Sequence, residues 1–214
     1  MKQFSYKTFY RRNLPHIQPE GATLFITFRL ANSLPTEVME RLRAEREIEL
    51  HRASKIPDEA ERETLLHQLH HRFFGEWDDA LDTLACGEKY LSNPQIAELV
   101  AGSIHYRDGN VYDLEAFCIM PNHVHLVCTP LERPDGMYHS LSKIMHSLKR
   151  HTARKTNQFL GREGSFWQHE NYDHYVRDAV DFERIIDYVL LNPVRAGLVD
   201  DWTAWKWSYC KESM

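Results

Sequence analysis

The sequence predicts an α+β fold: an antiparallel β-sheet with helices packed on it and a helical insertion between the first strand and its partners. Three observations predict this. Gly21 to Leu30, Val111 to Met120 and His123 to Pro130 interleave apolar residues with β-branched and polar ones, as strands do. Long charged stretches with helix-start signals separate the first of these from the second. After the third come a helix, a loop and a helix. A further strand in the irregular part would complete a sandwich, with the helices expected on one side of the sheet.

In chain order, "GATLFITFRL" is a strand that ends in the turn-like "ANSLP". Thr36 reads as the N-cap of a Leu-spaced helix, "TEVMERLRAEREIELHRA". Asp58 begins a second helix and Asn93-Pro94 a third, "PQIAELVAGSIHY". Asp108-Gly109 is a hairpin-like turn signal. "VYDLEAFCIM" and "HVHLVCTP" follow as two strands separated by Pro121-Asn122. Met137 to Leu160 is a long basic helix, "GREGSFWQHENYDHYV" a loop, and "DAVDFERIIDYVLLN" a helix that Pro193 closes. The aromatic tail "WTAWKWSYC" is expected to pack on the core. This organisation is one domain over 1–214 with a helical insertion at about 36–92.

Hydrophobic residues make up 43% of the 214-residue chain and charged residues 27%, which suits a soluble protein with a real core. No apolar run approaches the ~20 residues of a membrane span. "MKQFSYKTFYRRNLPH" lacks an apolar signal core, so a cytoplasmic location is expected. Cys86, Cys118, Cys128 and Cys210 show no C-x-x-C spacing and read as free thiols in a reducing compartment. The net charge of −5 argues at first against a nucleic-acid partner, but the acidity is concentrated. Thr36 to Ala85 holds 13 Asp/Glu against 7 Lys/Arg, whereas His139 to Arg162 holds six Lys/Arg and no acid. A separate basic stretch is therefore available to phosphates.

Within "CIMPNHVHLVCTP", His123 and His125 are two apart on a strand and face the same way, with Val124 turned to the other face. That spacing suits two nitrogen ligands on one metal. Two satisfied histidines on a half-buried strand would look the same. Further on, Tyr188 and Asn192 are four apart on the last helix, which places a hydroxyl and an amide oxygen on one face. A core tyrosine and an Asn helix cap would also look the same. Tyr172, in "NYDHYV", is the rival tyrosine; it lies in the loop, and Val176 occupies its i+4 place.

"MPNHVHLV" resembles the metal-binding strand of the HUH nucleases, named for His-hydrophobic-His. Tyr10 to Leu30 is similar to the opening segment of the REP-associated tyrosine transposases, which belong to the single-tyrosine transposases of that class. Phe166 to Val199, with its "NPV-basic-x-G" block, is similar to their C-terminal signature. The matching stretches cover about half the chain and stand in the family's order. The resemblance implies an HUH-type sandwich of the ferredoxin-like kind. It implies Tyr188 as the nucleophile and His123, His125 and Asn192 as ligands of a divalent metal, Mg²⁺ or Mn²⁺. It also implies cleavage and rejoining of single-stranded or hairpin DNA through a 5′-phosphotyrosine, and a bacterial, nucleoid-associated setting.

Expected DNA contacts are Arg11 and Arg12 near the N-terminus, Lys143, Lys149, Arg150 and Arg154 on the basic helix, Trp167 as a base-stacking platform, and Arg177. A solvated basic face and a core tryptophan are the plainer alternatives. Three other readings stand beside the transposase. A non-cleaving DNA-binding protein of the same fold is one. A relaxase or replication initiator is another, although such proteins usually carry further domains. HIT-type nucleotide hydrolases are the third; they place another histidine where this chain has Val127, which disfavours them. Family members are expected to act as monomers, whereas insertion-sequence relatives share sites across a dimer.

Overall fold

In the computed structural model, which describes residues 9–11, 15–83 and 87–211, the elements run as follows. β1 (Phe9–Arg11) and β2 (Pro15–Ile17) pair antiparallel with each other. β3 (Leu24–Arg29) precedes α1 (Thr36–Ala53) and α2 (Glu59–Thr83). Then come α3 (Pro94–His105), β4 (Tyr112–Ile119), β5 (His123–Pro130) and α4 (Leu141–Leu160). β6 (Tyr172–Tyr175), α5 (Ala179–Arg195) and β7 (Ser208–Cys210) complete the chain. The chain forms two compact units, 1–31 with 89–214, and 32–88.

The larger unit is built on a five-stranded antiparallel sheet in the order β6-β3-β5-β4-β7. All six residues of β3 are buried, as are seven of the eight in β5, so both faces of these central strands are covered. Strand alternation divides them. Leu24, Ile26 and Phe28 join Val124, Leu126 and Cys128 in one core with Ile96, Val100 and Ile104 of α3 and Ile144, Met145 and Leu148 of α4. Phe25, Thr27 and Arg29, registered with Val127, His125 and His123, occupy the opposite face. There the ring of Tyr188 on α5 meets Phe25 and His125. Helices therefore lie on both sides of the sheet. This corrects the one-sided expectation, because strands buried on both faces need cover on both.

β6 lies within the stretch expected as a loop and supplies the further strand. It pairs with β3 from Leu24↔Tyr175 to Thr27↔Tyr172, so Tyr172 stands at a strand start. The aromatic tail supplies a fifth strand: β7 pairs with β4, and Trp207 and Tyr209 pack against the core.

Pro193 does not close the last helix, which continues to Arg195. A proline removes one helical N–H and crowds the carbonyl four residues back, but here only the final turn remains. That turn ends in a Schellman arrangement: Leu198 N–H donates to Pro193 O at 2.9 Å, and Gly197 N–H to Val194 O at 2.9 Å. Gly197 takes the left-handed φ of 67° that this arrangement requires. Asn192 lies inside the helix, its carbonyl accepting from Ala196 N–H at 3.0 Å, and is not its cap.

In the smaller unit α1 and α2 pack together, with Ala53, Leu69 and Phe73 at their centre. Pro35, not Thr36, is the cap residue of α1 and gives no side-chain bond. Asp58 does cap α2, accepting from Glu61 N–H at 2.7 Å. In the larger unit, Asn93 caps α3 through Gln95 N–H at 2.9 Å, with Pro94 at the first helical position.

Leu126→Ala, in the central strand, should cost about 2–5 kcal/mol of unfolding free energy by urea titration. Val180→Ala, at a position 76% exposed on α5, should stay within about 0.5 kcal/mol.

Candidate metal and nucleophile site

The hairpin step Pro121-Asn122, closed by Met120 N–H to His123 O at 2.9 Å, starts β5 so that His123 and His125 both project toward α5's side of the sheet. Both imidazoles are fully buried. Their Nε2 atoms lie 3.0 Å apart. Each Nδ1 is held from outside the pair: His123 Nδ1 meets Asn122 Oδ1 at 2.7 Å, and His125 Nδ1 meets Thr27 Oγ1 at 2.8 Å. An amide oxygen only accepts, so His123 donates from Nδ1, and in the neutral form that leaves the lone pair on Nε2. Facing that lone pair at 3.0 Å, His125 donates from Nε2 and accepts from the Thr27 hydroxyl at Nδ1; because the hydroxyl can also accept, it can turn and take a proton from Nδ1 when Nε2 binds a cation.

This arrangement fits a divalent cation. Ligating imidazoles characteristically anchor the second ring nitrogen in an outer hydrogen bond. Two donors at right angles on a cation with bonds of about 2.1 Å stand about 3.0 Å apart, which is the separation found. Burial pushes the His125 pKa down to about 3, keeping the ring in the neutral form that a ligand requires.

α5 brings the tyrosine to this pair. Ile185, Val189 and Asn192 form its buried stripe, and half-buried Tyr188 stands beside it. The Tyr188 ring lies edge-on to His125, with centroids 5.6 Å apart, and edge-on to Phe25 at 6.0 Å. The Arg195 guanidinium stands over the Tyr188 ring, 5.0 Å from its centroid. Asn192 follows one turn after Tyr188 and is buried. Tyr172, half-buried, meets Phe25 from the β6 side at 6.2 Å. Phe25 thus touches His125 and both candidate tyrosines.

The expected DNA contacts separate into groups. Lys143, Arg150 and Arg154 are exposed on one side of α4. Lys149, expected close to that side, turns toward the core: its ammonium donates to the carbonyls of Gln168, His169 and Glu170 at 3.1, 3.3 and 3.4 Å. Burial and the neighbouring Arg29 push its pKa down to about 7. Trp167 is a core residue at 7% exposure; it packs edge-on against Phe28 and donates from Nε1 to Thr152 Oγ1 at 2.8 Å. It presents no free face to a base, which corrects the stacking expectation. Both side chains tie the segment before β6 to α4. Arg177 is exposed just ahead of α5. Arg11 lies in β1 with its side chain outside the described residues, and Arg12 lies wholly outside them.

Sequence reasoning passed over Thr27, Asn122, Phe25 and Arg195. Asn122 adjoins the histidine motif and was open to notice. Thr27 and Phe25 needed the β3–β5 register. Arg195 needed the course of the helix beyond Pro193.

Residues 89–191 match the family described as "Transposase IS200 like". Over 102 residues the chain is 28% identical to a putative REP-associated tyrosine transposase of Haemophilus influenzae, covering 45% of this chain and 58% of that protein. It is 25% identical over 97 residues to the REP-associated tyrosine transposase of Escherichia coli, covering 45% and 53%. The chain thus spans between half and three fifths of the length of these curated relatives. A solved REP-associated tyrosine transposase bound to a REP hairpin superposes with a TM-score of 0.52, at 17% identity, over 93% of this chain and 80% of that one. That likeness carries the fold, an α+β sheet with helices. No helix among the described residues is long and apolar enough to cross a membrane.

His125 takes up a proton near pH 6.5 when unfolded but only near pH 3 when folded. Its depressed pKa therefore contributes stability above about pH 6.5, and that stability is lost as the pH falls toward 3, by roughly 1.4 kcal/mol per pH unit. Urea midpoints measured between pH 7 and pH 5 should fall, and His125→Asn should flatten the slope. Trp167→Phe should cost about 1–3 kcal/mol, because buried Thr152 loses the donor to its oxygen.

Proposed function

We propose that this chain, which resembles the REP-associated tyrosine transposases and carries the IS200-like transposase match over residues 89–191, cuts and rejoins single-stranded DNA with Tyr188 as nucleophile. One observation carries the reading: the Tyr188 ring stands against His125, whose Nε2 lies 3.0 Å from that of His123. The ring of a candidate nucleophile and a buried, convergent imidazole pair thereby stand against one another on one face of the sheet.

His123, His125 and Asn192 would hold a divalent cation, Mg²⁺ or Mn²⁺, which when bound polarises a phosphate oxygen and offsets its charge. Asn122 and Thr27 orient the two imidazoles. Phe25 holds Tyr188 near them and excludes water from one side. In the reaction the Tyr188 Oη–P bond forms and the P–O3′ bond breaks. The phenol gives up its proton, the leaving 3′ oxygen gains one, and the DNA is left with a free 3′-OH and a 5′-phosphotyrosine. One phosphodiester bond replaces another, so a 3′-OH reverses the step without an outside energy source.

For the substrate, hairpin-forming DNA is favoured by the likeness to a transposase solved on a REP hairpin. The exposed Lys143, Arg150 and Arg154 of α4 and Arg177 ahead of α5 are the side chains we assign to its phosphates. Tyr172 is the alternative nucleophile, because it reaches the same Phe25 from β6. The one-domain organisation and monomeric action of the family are proposed here too.

Tyr188→Phe should abolish the covalent adduct with a hairpin-bearing single-stranded oligonucleotide while leaving the Kd within about threefold of wild type; an adduct on Tyr172 instead would reverse the assignment. Chelation by EDTA, or His123→Ala, should remove cleavage supported by Mn²⁺ without removing DNA binding. DNA binding with no adduct under any metal would favour a non-cleaving binder.

A further inference from the structure

Pro193 to Gly197 takes no part in the proposed reaction, yet its shape is set at several points. Pro193 fixes its own backbone angle and accepts from Leu198 N–H, while Gly197 supplies the left-handed residue that ends α5. The turn so fixed carries Arg195. Seven residues are close to two helical turns, so Arg195 returns to the side of α5 that holds Tyr188. Side chains on a helix lean toward its N-terminus, and a guanidinium on a long stem can reach back across the intervening turn. Here it does: the Arg195 guanidinium lies 5.0 Å from the centroid of the Tyr188 ring. From the sheet, the same ring is met edge-on by His125 and Phe25, at interplanar angles of 75° and 78°.

We infer that Arg195 is a positioning residue for the nucleophile: its guanidinium, stationed by the Pro193–Gly197 helix end, holds the Tyr188 ring against His125 and Phe25. The inference rests on the reading of Tyr188 as nucleophile. Its physical basis is the attraction of a cation for an aromatic face, together with the planar shape that lets a guanidinium stack where an ammonium cannot. A ring without this contact has more orientations open to it, and misplacing a reacting atom by about 1 Å costs up to about a hundredfold in rate. The plain alternative is that Arg195 only complements the negative end of the α5 dipole. Lysine would serve that purpose equally, so the two roles separate experimentally.

The test uses the full chain with Mn²⁺ and a pool of hairpin-bearing single-stranded oligonucleotides. The single-turnover rate of phosphotyrosine formation at saturating DNA, the Kd for DNA and the thermal midpoint are measured side by side. Arg195→Ala should slow adduct formation about tenfold or more with the Kd within twofold of wild type, and Arg195→Lys should recover only part of the rate. Arg195→Met, which keeps the apolar stem, should behave like Arg195→Ala, and it replaces that chain if its thermal midpoint collapses. Full-rate adduct formation by Arg195→Ala, a loss confined to Kd, or complete rescue by lysine each overturn the inference. Tyr188→Phe is run in parallel. If it still forms adduct, the nucleophile reading falls and this inference with it; if it forms none while Arg195→Ala runs at full rate, this inference falls alone.

Discussion

The antiparallel register of β3 with β5 is the constraint on which the rest depends. It sets Thr27 opposite His125 and Arg29 opposite His123. A slip of one residue would turn every side chain of the strand to the other face. Leu126 and Val124 would then face α5, and the imidazoles would enter a core of leucine, isoleucine and valine. The hydrophobic cost of that exchange fixes the register, and the register in turn supplies His125 with the Thr27 hydroxyl. The geometry of the histidine pair is thus a by-product of how the sheet buries its apolar face.

α5 is coupled to the sheet by the same logic at a different period. Ile185, Val189 and Asn192 are buried at helical spacing, so the helix has one orientation in which this stripe faces inward. That orientation brings Tyr188 to Phe25 and His125. Phe25 is the residue on which the aromatic contacts converge, and it belongs to neither the histidine motif nor the helix. On the opposite side of the sheet, α4 fastens the approach to β6 through Lys149 and the Trp167–Thr152 bond. Cation and tryptophan are there put to structural use.

Much of this was legible in the sequence. Alternation over 21–30 and 123–130 announced strands, and period two alone implies that His123 and His125 face one way. Asn93-Pro94 and Asp58 announced helix starts through chemistry that acts within three residues. What was hidden depended on partners far along the chain. β6 has only four residues, two of them the polar Asp173 and His174, and is a strand because β3 pairs with it. Lys149 and Arg150 are adjacent and chemically alike in the sequence, and only the helix's orientation sends one inward and the other to solvent. Pro193 does not stop the helix because its place, one turn from the helix end, removes most of the penalty that proline carries in a helix interior.

The two rims of the sheet are its shortest strands, β6 with four residues and β7 with three, while its longest strands lie inside. A strand rim presents backbone donors and acceptors that a foreign chain can adopt as a template, and the danger grows with the length of the exposed ladder. Rims this brief offer a visiting strand only a few hydrogen bonds, too few to repay its loss of freedom. The fold therefore keeps a sheet apolar enough to bury a pair of imidazoles while giving other copies of the chain little to grow upon.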